Sequence, residues 1–144
     1  MRDVSQYFEL IEKAIEYSPA TEAEIEILRF DAKSGLIEGV LYFADGSRLE
    51  FTERVVIEQR RLVKQEYRYQ FVRNEEAVFR YDNAPHHTHI STHPHHKHVG
   101  AKILPALEPE FSQVLNEAVA LLIEDTGHVK RSGKKRRQRT SKKS

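Results

Sequence analysis

Arg60-Arg61-Leu62-Val63-Lys64-Gln65-Glu66-Tyr67-Arg68-Tyr69-Gln70-Phe71-Val72 decides the fold. Its odd positions Val63, Tyr67, Tyr69 and Phe71 are apolar or aromatic, while Lys64, Glu66, Arg68 and Gln70 fill the even ones. A period of two is the signature of a strand with one buried face. The reading extends in both directions. Downstream, Arg73–Glu76 forms a polar turn, and Ala77–Asp82 makes a fifth strand with Ala77, Phe79 and Tyr81 in the same odd phase. Arg68, Arg80 and Asp82 then share the opposite face, which puts Arg68 near Arg80. Upstream, Leu49, Phe51, Val55 and Ile57 alternate in a third strand that charged Glu53 interrupts. Asp45-Gly46 signals a hairpin back to a second strand, Leu36–Phe43. The turn Lys33-Ser34-Gly35 leads to a first strand with Ala23, Ile25 and Ile27 in phase. There Leu28 and Phe30 slip by one residue, which indicates a bulge or burial on both faces.

Helices flank the strands. Asp3 and Gln6 stand at capping-box spacing before Val4, Phe8, Ile11 and Ile15, so a helix is expected over Val4–Tyr17, stopped ahead of Pro19. Glu108-Pro109 opens a last helix whose face is Phe111, Val114, Leu115, Ala118, Val119 and Leu122, with Gly127 as its cap. The expected architecture is α+β. It consists of an N-terminal helix, a five-stranded antiparallel meander, a His-rich loop over His86–His98 and a C-terminal helix packed on the sheet. One domain spans residues 1–128, and a disordered basic tail spans 129–144.

Composition narrows the function classes. With no cysteine, the chain has no disulfide, no thiolate metal site and no cysteine nucleophile. No signal-peptide pattern and no membrane-length apolar run is evident, so a cytoplasmic protein without membrane contact is expected. Nine of the 23 Lys and Arg lie in Val129–Ser144, which leaves 14 against all 22 acids in Met1–His128. An acidic body thus carries a basic tail suited to sequence-independent phosphate contact.

The densest chemical feature is Arg80-Tyr81-Asp82-Asn83-Ala84-Pro85-His86-His87, followed by His89, His93 and His95-His96-Lys97-His98. Histidine exchanges protons near neutrality, arginine and lysine hold phosphate oxygens, and Asp82 can orient an imidazole. Such a set meets the needs of metal-free RNA cleavage: a base, an acid and a cation for the phosphorane. From residue types alone, three readings stay open. The histidines are an acid–base centre, a site for zinc, nickel or copper, or a solvated loop. No known compact ligand spacing is matched, so no metal or cofactor is assigned.

The runs Tyr67-Arg68-Tyr69-Gln70, Phe79-Arg80-Tyr81-Asp82-Asn83-Ala84-Pro85-His86-His87 and Thr92-His93-Pro94-His95-His96-Lys97-His98-Val99-Gly100 resemble the TumE family of toxins, whose pattern is FRYDNAPHH followed by HHKH. The resemblance spans roughly Leu10 to Ile123. It implies the toxin half of a toxin–antitoxin system, partnered by a helix-turn-helix antitoxin; a homodimer stays open. On these motifs Arg80, Asp82, His87, His96 and His98 are the catalytic candidates, and Arg68, Asn83, His86, His95 and Lys97 the substrate-binding ones. RNA is the expected target. A nucleotidyl or phosphoryl transferase and a non-catalytic RNA- or metal-binding module are the alternatives.

Overall fold

The computed structural model describes residues 1–123 and the backbone of residues 135–142. Helix α1 runs over Val4–Glu16 behind the expected capping box: Asp3 accepts from the Ser5 N–H at 2.8 Å, and Gln6 reaches back to the Asp3 N–H. Strands β1 (Glu22–Asp31), β2 (Ser34–Tyr42), β3 (Arg48–Glu58), β4 (Arg61–Arg73) and β5 (Glu76–Asp82) follow as the anticipated antiparallel meander. The last helix, α2, is shorter than its sequence pattern suggests. It spans Phe111–Ala120 with Glu110 as N-cap, so Pro109 lies just outside it rather than in its first turn. Gly127 lies outside the described residues.

Two corrections concern strand number. The histidine-rich stretch is not all loop: His96–Val99 forms β6 on the edge of β5, and Lys102–Pro105 returns as β7. Gly100, at φ 59°, supplies the left-handed residue that the tight connection requires. The antiparallel part of the sheet therefore has seven strands, not five. Within the stretch expected to be a disordered tail, Lys135–Lys142 forms β8, parallel to β1. A physical reason lies in the register. The open edge of β1 offers unpaired backbone groups, and Glu22, Glu24 and Glu26 fall opposite Lys135, Arg137 and Arg139. The rest of Val129–Ser144 lies outside the described residues. The full order is β7-β6-β5-β4-β3-β2-β1-β8.

The register gives the sheet two distinct faces. On one, Ile25, Gly39, Phe51, Tyr69, Tyr81 and Lys97 line up across the strands. Both helices cover this face. Val4, Phe8, Ile11 and Ile15 of α1 are buried together with Phe111, Val114, Leu115 and Ala118 of α2. The Phe51 ring meets Phe111 edge-on at 4.9 Å. On the other face the row reads Glu26, Glu38, Thr52, Arg68, Asp82 and His96. Arg68 thus stands opposite Asp82, and Gln70 opposite Arg80, so the expected Arg68–Arg80 neighbourhood is only diagonal. A bulge between Phe71 and Val72 sets this offset. The slip expected at Leu28 and Phe30 is also real, and falls between Arg29 and Asp31.

Glu53 does not interrupt the core but organises it. Its carboxylate is fully buried and accepts from the Tyr7 hydroxyl of α1 and from the Tyr69 hydroxyl of β4 at 2.5 Å. Lys64 Nζ stands 3.7 Å from the same carboxylate and donates to Tyr69 Oη at 2.6 Å and to the Pro109 carbonyl at 2.7 Å. Burial, then the Glu53 charge, raises both tyrosine pKa values, so each phenol stays a donor. Asp45, in the β2–β3 turn, ties down the end of α2. It accepts from Ser47, from Arg73 and from the Ile123 N–H. Burial alone would raise its carboxyl, but these hydrogen bonds prevail and bring it down to about 2.

Two stability predictions follow from these carboxylates. Glu53→Ala leaves a buried ammonium and two phenols without their acceptor, and should cost about 3–5 kcal/mol in urea unfolding at neutral pH. Asp45 has a folded pKa below its ordinary value, so its contribution is complete above about pH 4 and fades as pH falls toward 2. Acid titration of Asp45→Asn should lack that component, and a profile identical to the parent protein's would contradict the assignment.

Candidate active site

The site is built from two antiparallel strands and one loop on the sheet face opposite α1 and α2. β5 presents Arg80 and Asp82, and β6 presents His98 and His96 directly opposite them. Because side chains alternate, residues two apart share a face, so all four project to the same side. β5 ends at Asp82, ahead of Pro85, and the segment from Ala84 to His95 leads to β6 with Ile90 buried as its anchor. That segment brings His87 to the cluster. Its ring centroid lies 4.9 Å from His96 and 5.6 Å from His98, and the latter two are 4.8 Å apart.

Asp82 is the hub. It is 6% exposed. Oδ1 accepts from His96 Nε2 at 2.9 Å and from the Ala84 N–H at 3.0 Å, and Oδ2 accepts from Arg80 Nε at 2.9 Å. The far nitrogen of His96, Nδ1, lies 2.8 Å from the Pro94 carbonyl. His96 is 2% exposed, so its ring is held from both ends and shielded from solvent. Arg80 continues to His98: its Nη2 lies 2.9 Å from His98 Nε2. Guanidinium can only donate, so His98 Nε2 is the acceptor and carries no proton. Loss of hydration, then the Arg80 charge, holds the His98 pKa below the ordinary histidine value. His87 is also lowered, by lost hydration first and then by its imidazole neighbours.

The structure divides the sequence candidates into three groups. Arg80, Asp82, His87, His96 and His98 converge on one patch. Arg68 and His86 are exposed near its rim, with Arg68 donating to Gln70 at 2.9 Å. Asn83, His95 and Lys97 do other work. Asn83 extends the β4–β5 ladder, accepting from the Tyr67 N–H at 3.0 Å and donating to the Gln65 carbonyl at 3.0 Å. His95 Nδ1 meets the Tyr67 hydroxyl at 2.8 Å, and the two rings stack. Lys97 is on the helix side, ion-paired with Glu117 at 2.7 Å above the Tyr81 ring. Sequence reasoning missed the Pro94 carbonyl and the Ala84 N–H, backbone groups that residue types do not reveal. Recognising His96–Val99 as a strand would have separated Lys97 from His96 and His98.

Fold and site together define a two-layer α+β protein whose sheet face opposite α1 and α2 carries an arginine–aspartate–histidine centre. A family model described as Toxin TumE matches residues 8–126, and the chain belongs to the TumE toxin family. No curated protein and no solved structure matches it. Among the described residues, no helix is long and apolar enough to cross a membrane.

The Arg80 contact makes a spectroscopic prediction. Nitrogen NMR of the imidazoles should show neutral His98 as the Nδ1–H tautomer, and Arg80→Ala should release that preference. An Nε2–H tautomer in the parent protein would break the arrangement described here.

Proposed function

We propose that this chain is the toxin of a toxin–antitoxin pair, restrained in the cytoplasm by a helix-turn-helix antitoxin, and that it cleaves RNA by metal-independent acid–base chemistry. The family supports the toxin role. The observation that carries the chemistry is the convergence of Arg80, Asp82, His87, His96 and His98 on one accessible sheet face.

In the proposed reaction, a neutral imidazole takes the proton of a 2′-hydroxyl as that oxygen attacks the adjacent phosphorus. The bond from phosphorus to the 5′-oxygen breaks, and the leaving oxygen takes a proton from a second, protonated imidazole. The products are a 2′,3′-cyclic phosphate and a 5′-hydroxyl. His87 and His98 are the rings of the trio with solvent-facing surface, so they are the proton carriers in this scheme. The Arg80 side chain is 32% exposed, enough to reach a phosphate oxygen while Asp82 fixes its Nε. Buried His96 is a positioning residue: it braces Asp82 against the Pro94 carbonyl. Exposed Arg68 extends the phosphate-holding surface along the row that contains Asp82.

Purified protein incubated with total RNA tests this reading. Cleavage should proceed with a chelator present and leave cyclic phosphate ends. Arg80→Ala should slow it by about 10²–10³-fold, the loss typical of a donor to developing negative charge. Toxicity without any RNA cleavage would overturn the ribonuclease reading and leave a transferase or binding toxin. Loss of cleavage on chelation would overturn the metal-free mechanism.

A further inference from the structure

We propose that His87, His96 and His98 form a binding site for one divalent transition-metal ion of the zinc class. Each of the three residues offers a ring nitrogen, and these atoms all lie within 4.8 Å of one another. The donor set is specific. Three imidazoles without a thiolate suit zinc, nickel or copper and not the oxygen-seeking magnesium or calcium. Three protein ligands also leave a fourth tetrahedral position open.

The surroundings add to the case. His96 and His98 stand two apart on one strand, so β6 fixes their separation and direction before any ion arrives. The third ligand comes from the connecting segment, which can adjust. Tetrahedral zinc with nitrogen bonds of about 2.0–2.1 Å needs nitrogens roughly 3.3 Å apart. Closure from the present spacing is therefore a small movement, of which His87 can supply the greater part. His96 is already oriented by a hydrogen bond from Nδ1 to the Pro94 carbonyl, which leaves Nε2 facing Asp82. A backbone carbonyl on the far nitrogen is the usual way a ligating histidine is aimed. Asp82, at 2.9 Å from His96 Nε2 and 3.7 Å from His98 Nε2, supplies the negative charge that a dication requires. Two existing contacts oppose binding: Arg80 must release His98 Nε2 while keeping Asp82 Oδ2, and His96 Nε2 must give up the proton it donates to Asp82 Oδ1, so the ion displaces a proton as it binds.

Occupancy has a consequence for the cleavage reaction, and this step rests on the acid–base reading above. A metal ion takes the lone pairs that the 2′-hydroxyl proton would use, so the zinc-bound protein should be inactive and the chelated protein active. Metal availability would then regulate the toxin independently of its antitoxin.

The test uses the full chain without a polyhistidine tag, stripped with chelator and titrated calorimetrically with zinc and, separately, with calcium. One zinc per chain is expected, with no calcium binding, and cobalt should give the visible absorption of a nitrogen-ligated tetrahedral ion. His87→Ala and His98→Ala, both at partly exposed positions, should each weaken zinc by at least about tenfold. His93→Ala, at an exposed position outside the cluster, should not. Absence of zinc binding, or binding that survives the His87→Ala/His98→Ala double substitution, overturns the proposal. RNA cleavage by a protein that binds no zinc sinks the metal site alone. Zinc binding by a protein that never cleaves RNA, stripped or loaded, sinks the nuclease reading alone.

Discussion

The Glu53 carboxylate is the constraint on which the described fold depends. It is fully buried, and burial of a charge is tolerated only with complete hydrogen-bond and charge compensation. The compensation comes from three side chains. Tyr7 brings α1, Tyr69 and Lys64 bring β4, and Lys64 in turn holds the Pro109 carbonyl ahead of α2. A slipped helix or a strand shifted by one residue would leave one of these groups unpaired. Apolar contacts between α1, α2 and the sheet are tolerant of small shifts, whereas this network is not. It therefore fixes which helix face meets which strand, and with it the face of the sheet left open.

The open face is arranged by a second carboxylate under different rules. Asp82 accepts from His96, Arg80 and the Ala84 N–H, and is almost as sheltered as Glu53. Its partners differ in one respect that matters. Around Glu53 the partners tie helix to sheet. Around Asp82, Arg80 and His98 keep exposed surface, and His87 stands beside them with its ring against those of His96 and His98. A strand register that is set on the helix side thus delivers a pre-arranged cluster on the other. Charge is also graded along this face. Glu26 and Glu38 begin the row in β1 and β2, and Arg68, Asp82 and His96 end it.

Much of this was readable from residue order, and the failures have physical causes. The period-two pattern of Tyr67, Tyr69 and Phe71 identified β4, and local turns made the meander the natural solution. The β3–β4 turn is tight although Gln59 and Arg60, both at positive φ, carry no glycine or asparagine signal. Glu53 looked like a break because its partner Tyr7 lies 46 residues away, a distance no window can span. The β6–β7 hairpin was hidden by composition. Histidines and Pro94 read as a loop, yet Val99-Gly100 marks a turn and His96-Lys97-His98 alternates. For the site, residue type found the five members of the cluster, while Lys97, His95 and Asn83, close to them in sequence, lie outside the cluster and contact Glu117, Tyr67 and the β4 backbone.

That last distinction separates two kinds of information in a motif. A run such as His95-His96-Lys97-His98 looks like one functional unit when read linearly. In a strand it becomes two, because successive side chains leave opposite faces. His96 and His98 join Asp82 and Arg80, while Lys97 crosses to Glu117 and ties β6 to α2. The two halves depend on each other. β6 has only four residues and lies one strand in from the edge, and Lys97–Glu117 joins it to the helix layer. That anchor adds to the β5 and β7 ladders, and to the Asp82, Pro94 and Arg80 contacts, in holding His96 and His98 in place. The place of a basic residue between two histidines thus follows the alternation of the strand: Lys97 pairs with Glu117 on the helix side of β6, beneath the cluster.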